Sequence, residues 1–287
     1  MNTAHLKLSG FADEISPEID QQILVARQVG LTHFELRSVG GVNVLAFSSD
    51  QRSEIRNKLD AAGLGVVSIG SPCGKMPIDT PREKLLDMFK LAIDQAQFFN
   101  APLIRVFSFY PPGGEGKGPV EPHKDAVIEL MHAQSVLLEN TKITMVHENE
   151  RGIYGDIGSR CVQIMKGVNH PQCKTAFDFA NFVQCGQDPL AIWPLLREYT
   201  VHIHIKDALA KSDLAAGGTV VPAGEGDGKI AEILKDAYAH GYDGFLSLEP
   251  HLKVAGHSHG ETGPELFAKA VVALRDVCKK IDVPLAS

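Results

Sequence analysis

Short apolar runs alternate with longer segments that carry helical signals along the whole chain. The apolar runs are rich in β-branched and aromatic residues, which is typical of buried parallel strands. Eight such strands are predicted: Leu6–Phe11, His33–Arg37, Val66–Ser71, Leu103–Phe109, Ile143–Glu148, Lys174–Phe179, Val201–Lys206 and Phe245–Glu249. Eight strands alternating with helices predict an α/β fold, a (β/α)8 TIM barrel, with residues 1–287 as a single domain.

Local signals place several helix ends. Three Ser, Thr or Asp residues stand directly before a proline, a pattern that predicts an N-cap followed by proline at the first helical position; they are Ser16, Thr80 and Asp188. Gly30 and Gly63 stand where the first two helices should end. The last predicted helix covers Pro264–Ile281, whose apolar residues form one helical stripe.

The last four predicted strands each end in a side chain that can bind a metal. These residues are Glu148, Asp178, His204 and Glu249. Active sites of parallel barrels lie at the carboxyl ends of the strands, so the pattern predicts a metalloenzyme. Side chains alternate between the two faces of a strand, so His202 shares the inward face with His204 one layer deeper, where a hydrogen-bonded core role is expected.

Three carboxylates and one imidazole favour one hard or borderline divalent cation. Mn²⁺ is the first choice, and Mg²⁺, Co²⁺ and Zn²⁺ are also compatible. A metal with open positions could bind two oxygens of a hydroxy-ketone and polarise its carbonyl while a glutamate removes the adjacent proton. Lys206 lies one step above His204 and has two equally supported roles, an electrophile for an enolate oxygen or a salt bridge with Glu249.

Composition excludes several classes of protein. The net charge of −7 and the lack of a Lys/Arg run argue against a nucleic-acid or membrane partner. The five cysteines are scattered without a C-x-x-C pair, which is typical of reduced cytosolic thiols. No signal peptide and no run of roughly 18 apolar residues is evident, so a cytoplasmic protein is expected.

Five sequence motifs give the chain a family resemblance. They are VHENE at 146–150, FDFAN at 177–181, HIHIKDA at 202–208, PAGEGDG at 222–228 and LSLEPH at 246–251. With these motifs the chain resembles the xylose isomerase-like TIM barrels, or sugar phosphate isomerases/epimerases, which include ketose 3-epimerases, hydroxypyruvate isomerases and inosose dehydratases. The resemblance implies that Glu148, Asp178, His204 and Glu249 bind the metal, that Glu148 and Glu249 are the acid–base pair, and that the protein forms a homodimer or tetramer.

The chain departs from the family pattern where the substrate would be contacted. Many relatives have a histidine at the position of Asn181 and another at the position of Glu150. Candidate substrate-binding residues are therefore taken from the strand ends and the loop after the eighth strand: Arg37, Arg105, Glu150, Asn181, His251 and His257. The expected substrate is a small sugar or cyclitol, and the predicted enzyme is an isomerase or epimerase in carbohydrate metabolism.

Several alternatives stay open at this point. If an acid protonates a departing hydroxyl after the proton is removed, the same site makes a lyase or dehydratase. An apurinic-site endonuclease or a non-catalytic sugar-binding protein is less well supported, because of the acidic charge and the intact ligand set. Asp178 could instead cap a helix. The glycine-rich loop Gly224–Gly228 could bind phosphate, but its acidic residues favour a tight turn and an unphosphorylated substrate.

Overall fold

Eight parallel strands form a closed barrel in the computed structural model, which describes residues 4–211, 219–252 and 262–286. The strands are β1 Lys7–Phe11, β2 His33–Leu36, β3 Gly65–Ile69, β4 Leu103–Val106, β5 Thr144–Glu148, β6 Cys173–Asp178, β7 Thr200–Ile205 and β8 Phe245–Leu248. Each strand pairs in parallel with its neighbours in the sequence, and β1 closes the ring by pairing with β8. The predicted (β/α)8 TIM barrel is confirmed.

Helices connect the strands on the outside of the barrel. They are α1 Ile19–Val29, α2 Ser49–Ala62, α3 Arg82–Phe99, α4 Lys124–Val136, α5 Gly158–Val168, α6 Phe179–Gln184, α7 Pro189–Leu196, α8 Ile230–Ala239 and α9 Pro264–Lys280. Two short hairpins, Ser38–Val39 with Val42–Asn43 and Asp207–Leu209 with Thr219–Val221, lie outside the ring. Within the described ranges, no helix is long and apolar enough to span a bilayer.

The predicted strand bounds are correct to within one or two residues except on β4. This strand ends at Val106, three residues before the predicted end at Phe109. The backbone of Phe107 and Phe109 turns to donate hydrogen bonds to Cys73 and Gly74, at 2.8 and 3.0 Å, instead of continuing the barrel. The apolar run therefore continues to Phe109 although the strand ends at Val106.

Two of the three predicted helix starts are wrong. Asp188 caps α7 as expected, with Pro189 at the first helical position. However, α1 begins at Ile19, because Ser16 Oγ accepts a hydrogen bond from Glu18 N and forms a separate turn. Pro81 itself occupies the N-cap position of α3, so Thr80 is not the N-cap that the sequence predicts. Both helix ends at Gly30 and Gly63 are confirmed as left-handed caps.

The barrel interior changes from small residues at its floor to charged residues at its mouth. Ser9, Ser68 and Ser247 are fully buried on three different strands, and they leave room for the longer side chains of Glu35 and His202. On the outside, close packing against the helices limits side-chain size; a Cβ at Gly10 would lie 2.9 Å from the Phe267 ring of α9. This arrangement holds the strand ends rigidly around the mouth.

Candidate metal centre

The four predicted metal ligands meet at the carboxyl ends of β5, β6, β7 and β8. Glu148 and Asp178 are the last residues of their strands, His204 is the penultimate residue of β7, and Glu249 directly follows β8. One ligand atom from each residue can be chosen so that all four lie within 4.8 Å of one another. All four side chains are buried. The structure thus brings together residues that are up to about a hundred positions apart in the sequence.

The donor atoms fit a divalent cation. Among the described residues, Glu148 Oε2, Asp178 Oδ2 and His204 Nδ1 are buried atoms without a hydrogen-bond partner. Buried polar atoms are normally hydrogen-bonded. The two carboxylate oxygens have only ion-pair contacts, with Arg105 and Lys206, so the converging atoms fit a cation as a further partner. Carboxylate oxygens and one imidazole nitrogen are suitable ligands for Mn²⁺, Mg²⁺, Co²⁺ or Zn²⁺.

Lys206 inserts its ammonium group between two of these ligands. Its Nζ lies 2.9 Å from Asp178 Oδ2 and donates a hydrogen bond of 2.9 Å to Glu249 Oε2. Burial would lower the pKa of Lys206, but Asp178 and Glu249 outweigh burial and hold that pKa above its ordinary value. The predicted pairing with Glu249 is confirmed, and the lysine supplies a fixed positive charge at the site.

Two arginines also face the site, and both are already engaged with carboxylates. The Arg105 guanidinium is buried, 3.3 Å from Glu148 Oε2 and 3.7 Å from Glu249 Oε1. Arg37 lies 3.3 Å from Glu249 Oε1 and donates a 2.8 Å hydrogen bond to Asp13. These contacts place both predicted residues beside the ligands and help to keep the glutamates ionised.

The electrostatic balance differs between two of the ligands. Burial alone would raise the pKa of Glu148, but the nearby His204 and Arg105 groups lower it to about 2. Burial raises the pKa of Asp178 to about 6; Lys206 opposes this rise, and the negative charges of Glu148 and Glu249 add to it. An additional cation would relieve the repulsion that acts on Asp178.

Asp178 caps a helix, as considered from the sequence, and also faces the candidate ligand cluster. Its Oδ1 accepts a hydrogen bond of 2.8 Å from Asn181 N and caps α6, while its Oδ2 faces the ligand cluster. Asn181 in turn donates from Nδ2 to Glu148 Oε1 at 3.2 Å. Asn149 fixes the backbone of Asp178 through two hydrogen bonds of 3.0 Å. The polar residues after β5 and β6 therefore hold two ligands in place.

Of the other predicted substrate-binding residues, His251 lies beside the ligand cluster and Glu150 lies farther out. Glu150 forms an ion pair of 2.9 Å with Lys75 at the mouth. His251 Nε2 is 3.1 Å from Glu14 and 3.5 Å from Glu249. His257 lies outside the described residues.

Two buried acids of this region, Glu35 and Glu14, are missed by the sequence analysis. Glu35 stands within the apolar strand HFEL. A lone carboxylate in such a run needs buried partners, so the acidic residue inside an apolar strand is the sequence signal that could have identified Glu35. One of those partners is His202 Nε2, 2.8 Å from Glu35 Oε2, which confirms the expected core role of His202. Glu14 lies in the turn after β1, where the sequence carries no comparable signal.

The glycine-rich loop at 224–228 is occupied by a side chain of the protein itself. The carboxylate of Asp207 accepts backbone hydrogen bonds from Gly224 and Gly226 on Oδ2, at 2.8 and 3.0 Å, and from Gly228 and Ala208 on Oδ1, at 3.0 and 2.9 Å. These N–H groups are the donors that a phosphate would need. The loop is therefore a tight turn around a buried carboxylate.

Comparison with known proteins identifies the family. The family model described as xylose isomerase-like TIM barrel matches residues 23–276, whereas no curated protein matches. Among solved structures, the probable 3-DHS dehydratase AsbF from Bacillus anthracis has a TM-score of 0.72 at 20% identity, with 94% of this chain and 99% of that chain covered. A xylose isomerase-like TIM barrel protein from Mycobacterium smegmatis in complex with magnesium has a TM-score of 0.73 at 19% identity, covering 97% and 98% of the two chains. A D-tagatose 3-epimerase-like protein has a TM-score of 0.74 at 14% identity, covering 96% and 98%. The chain belongs to the xylose isomerase-like TIM barrel family.

Proposed function

We propose that this protein is a divalent-metal-dependent isomerase or epimerase that removes a proton next to the carbonyl of a sugar or cyclitol. The observation that carries this proposal is the convergence of Glu148, Asp178, His204 and Glu249 within 4.8 Å at the mouth of the barrel. A magnesium complex and an epimerase-like protein among the structures of the same fold support it. Mn²⁺ is the proposed native ion, because it accepts both carboxylate and imidazole ligands.

The chain supplies two candidate bases and a positive charge. A bound divalent ion would hold the substrate oxygens and offset the negative charge that develops on the carbonyl oxygen. Glu148 and Glu249, on different strands, would take the proton from carbon and return it, as an acid–base pair. Lys206 would donate a hydrogen bond to the oxygen of the enediolate, since its ammonium group is buried beside Glu249.

The charges at the mouth favour an unphosphorylated substrate. In the described part of the mouth, Arg37 and Lys75 already have carboxylate partners, Asp13 and Glu150. The N–H groups of the glycine-rich loop are directed at Asp207. A phosphate dianion would therefore have to displace the carboxylates that these groups already bind. Hydroxyl groups of a sugar can instead form hydrogen bonds with the exposed atoms of the same ion pairs.

A lyase is the second candidate. It is favoured by Asn181 and Glu150, which replace the histidines of many relatives, and by the dehydratase among the structures of the same fold. Both outcomes begin with the same proton removal, so they differ only in whether carbon is protonated again or a hydroxyl leaves.

Solvent exchange separates these possibilities. Ketoses and inososes are incubated in D₂O with the Mn²⁺-loaded wild type, with Glu148→Gln and Glu249→Gln, and with Glu129→Gln, a control on the exposed surface of α4. The proposal expects carbon-bound deuterium with the wild type and the control, and loss of at least about 100-fold in both site variants. Deuterium without loss of water indicates an isomerase or epimerase, and loss of water indicates the lyase. No exchange on any substrate by a metal-loaded wild type would overturn both.

A further inference from the structure

A buried carboxylate lies directly beneath the proposed metal ligands. Glu35 on β2 is fully buried. Its Oε1 accepts a hydrogen bond of 2.9 Å from Ser68, and its Oε2 accepts hydrogen bonds of 2.8 Å from Ser247 and from His202 Nε2. The same Oε2 lies 3.2 Å from His204 Nε2. Three other barrel strands thus direct polar groups at one carboxylate.

The His204 ring faces a different carboxylate with each of its nitrogens. Nδ1 lies 3.4 Å from Glu148 Oε1 and 4.0 Å from Glu249 Oε2, on the side of the proposed metal. Nε2 points to Glu35 on the side of the barrel floor. The Phe11 ring packs edge-on against the imidazole with a centroid distance of 5.3 Å and restricts its orientation.

A histidine can bind a metal only through a nitrogen that carries no proton. A neutral imidazole has one protonated and one free ring nitrogen, and the partner of the protonated nitrogen decides which is which. A carboxylate accepts hydrogen bonds and donates none, and carboxylates face both ring nitrogens. Glu35 Oε2 is the nearer, at 3.2 Å from Nε2 against 3.4 Å from Nδ1 to Glu148 Oε1. Because the metal would take the Nδ1 side, Glu35 favours the proton on Nε2 and leaves Nδ1 free. A carboxylate behind a ligand histidine also increases the basicity of the ligand nitrogen.

We propose that Glu35 is the positioning residue of His204, which orients the ring and fixes its tautomer so that Nδ1 binds the metal. This inference rests on the proposed metal site. Glu35 acts only through His204.

A second metal ion is the competing explanation for this cluster. Glu35, His202 and His204 also have ligand atoms within 4.8 Å of one another. However, both Glu35 oxygens already accept hydrogen bonds, and the hydroxyl groups of Ser68 and Ser247 approach from two sides. The N–H group of His204 would be one more donor to the Glu35 carboxylate. A cation at this place would instead lie next to the partial positive charges of the hydroxyl hydrogens.

Metal affinity tests the proposal without any need for the substrate. Zn²⁺ binding is measured by calorimetry for the wild type, Glu35→Gln and Ser247→Ala; the last variant removes a hydrogen bond to the same oxygen but leaves the carboxylate. Loss of such a partner typically weakens metal binding about 10- to 100-fold, so Glu35→Gln should show a Kd raised by that factor. Ser247→Ala should change the Kd by less than about threefold, because it keeps the carboxylate that faces His204 Nε2.

The tautomer is observed directly in the Zn²⁺-loaded protein. Long-range ¹H–¹⁵N spectra of the wild type should show His204 protonated at Nε2 and metal-bound at Nδ1, and this pattern should be lost or mixed in Glu35→Gln. A role limited to fold stability would lower the melting temperature without changing this signature. If Glu35→Gln does not fold, the wild-type spectrum alone decides, since metal bound at Nε2 contradicts the proposal.

The possible failures are distinguishable. A wild type that binds no ion contradicts the proposed function itself. A wild type that binds one ion with the same Kd as Glu35→Gln overturns only the role of Glu35. Two ions per chain, of which one is lost in Glu35→Gln, would make Glu35 a ligand and would likewise overturn the proposal.

Discussion

Replacement of Asp207 by asparagine should destabilise the protein strongly although it exchanges only one non-hydrogen atom. The Asp207 carboxylate is 1% exposed and accepts four backbone hydrogen bonds, two on each oxygen. Asparagine keeps one oxygen, and its NH₂ group then faces two N–H donors. The pair around Gly224 and Gly226 is only partly buried, so these are the hydrogen bonds that the variant should lose.

The expected magnitude follows from the number and type of these hydrogen bonds. A hydrogen bond to a charged group contributes about 1.5–3 kcal/mol, and the donors at Gly224 and Gly226 remain accessible to some water. Two lost hydrogen bonds therefore correspond to about 2–4 kcal/mol, a large part of the roughly 5–15 kcal/mol that stabilises a typical domain.

Urea unfolding of the wild type and Asp207→Asn measures this difference. The matched control is Asp227→Asn in the same loop, where the exposed carboxylate accepts one hydrogen bond of 2.8 Å from Ala210 N. The control should lose less than about 1 kcal/mol. An unfolding free energy of Asp207→Asn within about 1 kcal/mol of the wild type would refute the role of Asp207 as the centre of this loop.

Three further outcomes are expected. Gly74→Ala should lower the unfolding free energy in urea by at least about 2 kcal/mol, because its φ is +91° and a Cβ would lie 2.0 Å from Phe107 O. The control Gly118→Ala should be near neutral, because nothing lies within 4 Å of a Cβ there. Equal losses of unfolding free energy in the two variants would contradict this reasoning. Burial raises the pKa of all five cysteine thiols, and four of them are buried while Cys185 is half-buried. Native protein at pH 8 should therefore react with a thiol reagent at Cys185 at most, and at all five only after unfolding. Burial, followed by the charge of Lys7, lowers the pKa of His33 below 6.5. The unfolded chain therefore binds the extra proton first as pH falls through 6.5, and the unfolding free energy should drop between pH 7 and 5, less so in His33→Gln; an identical drop in both would show that His33 is not responsible.

The convergence of the proposed ligands was predictable because each lies at the end of a strand, or directly after it, that the sequence marks clearly. Glu148, Asp178 and Glu249 end apolar runs, and the strand alternation of VHIH places His202 and His204 on one face. These signals are local. In a parallel barrel the carboxyl ends of all strands meet at one end, so residues at the ends of different strands lie close together.

The supporting residues could not be derived in the same way. The interaction between Glu35 and His204 joins β2 to β7, and it depends on the barrel radius and on the small serines at the floor. Similarly, the role of Asp207 depends on a loop that begins seventeen positions later and folds back onto it. The helix start at Ile19 was missed because Ser16 caps its own turn, a competition between two local structures that the sequence pattern does not rank.

The most direct test of the proposed metal centre is anomalous diffraction from crystals of the protein soaked with Mn²⁺. We expect one strong anomalous peak within bonding distance of Glu148, Asp178, His204 and Glu249, and loss of that peak in Asp178→Asn. Crystals that show no peak at these four residues, or a peak that persists unchanged in the variant, would contradict it.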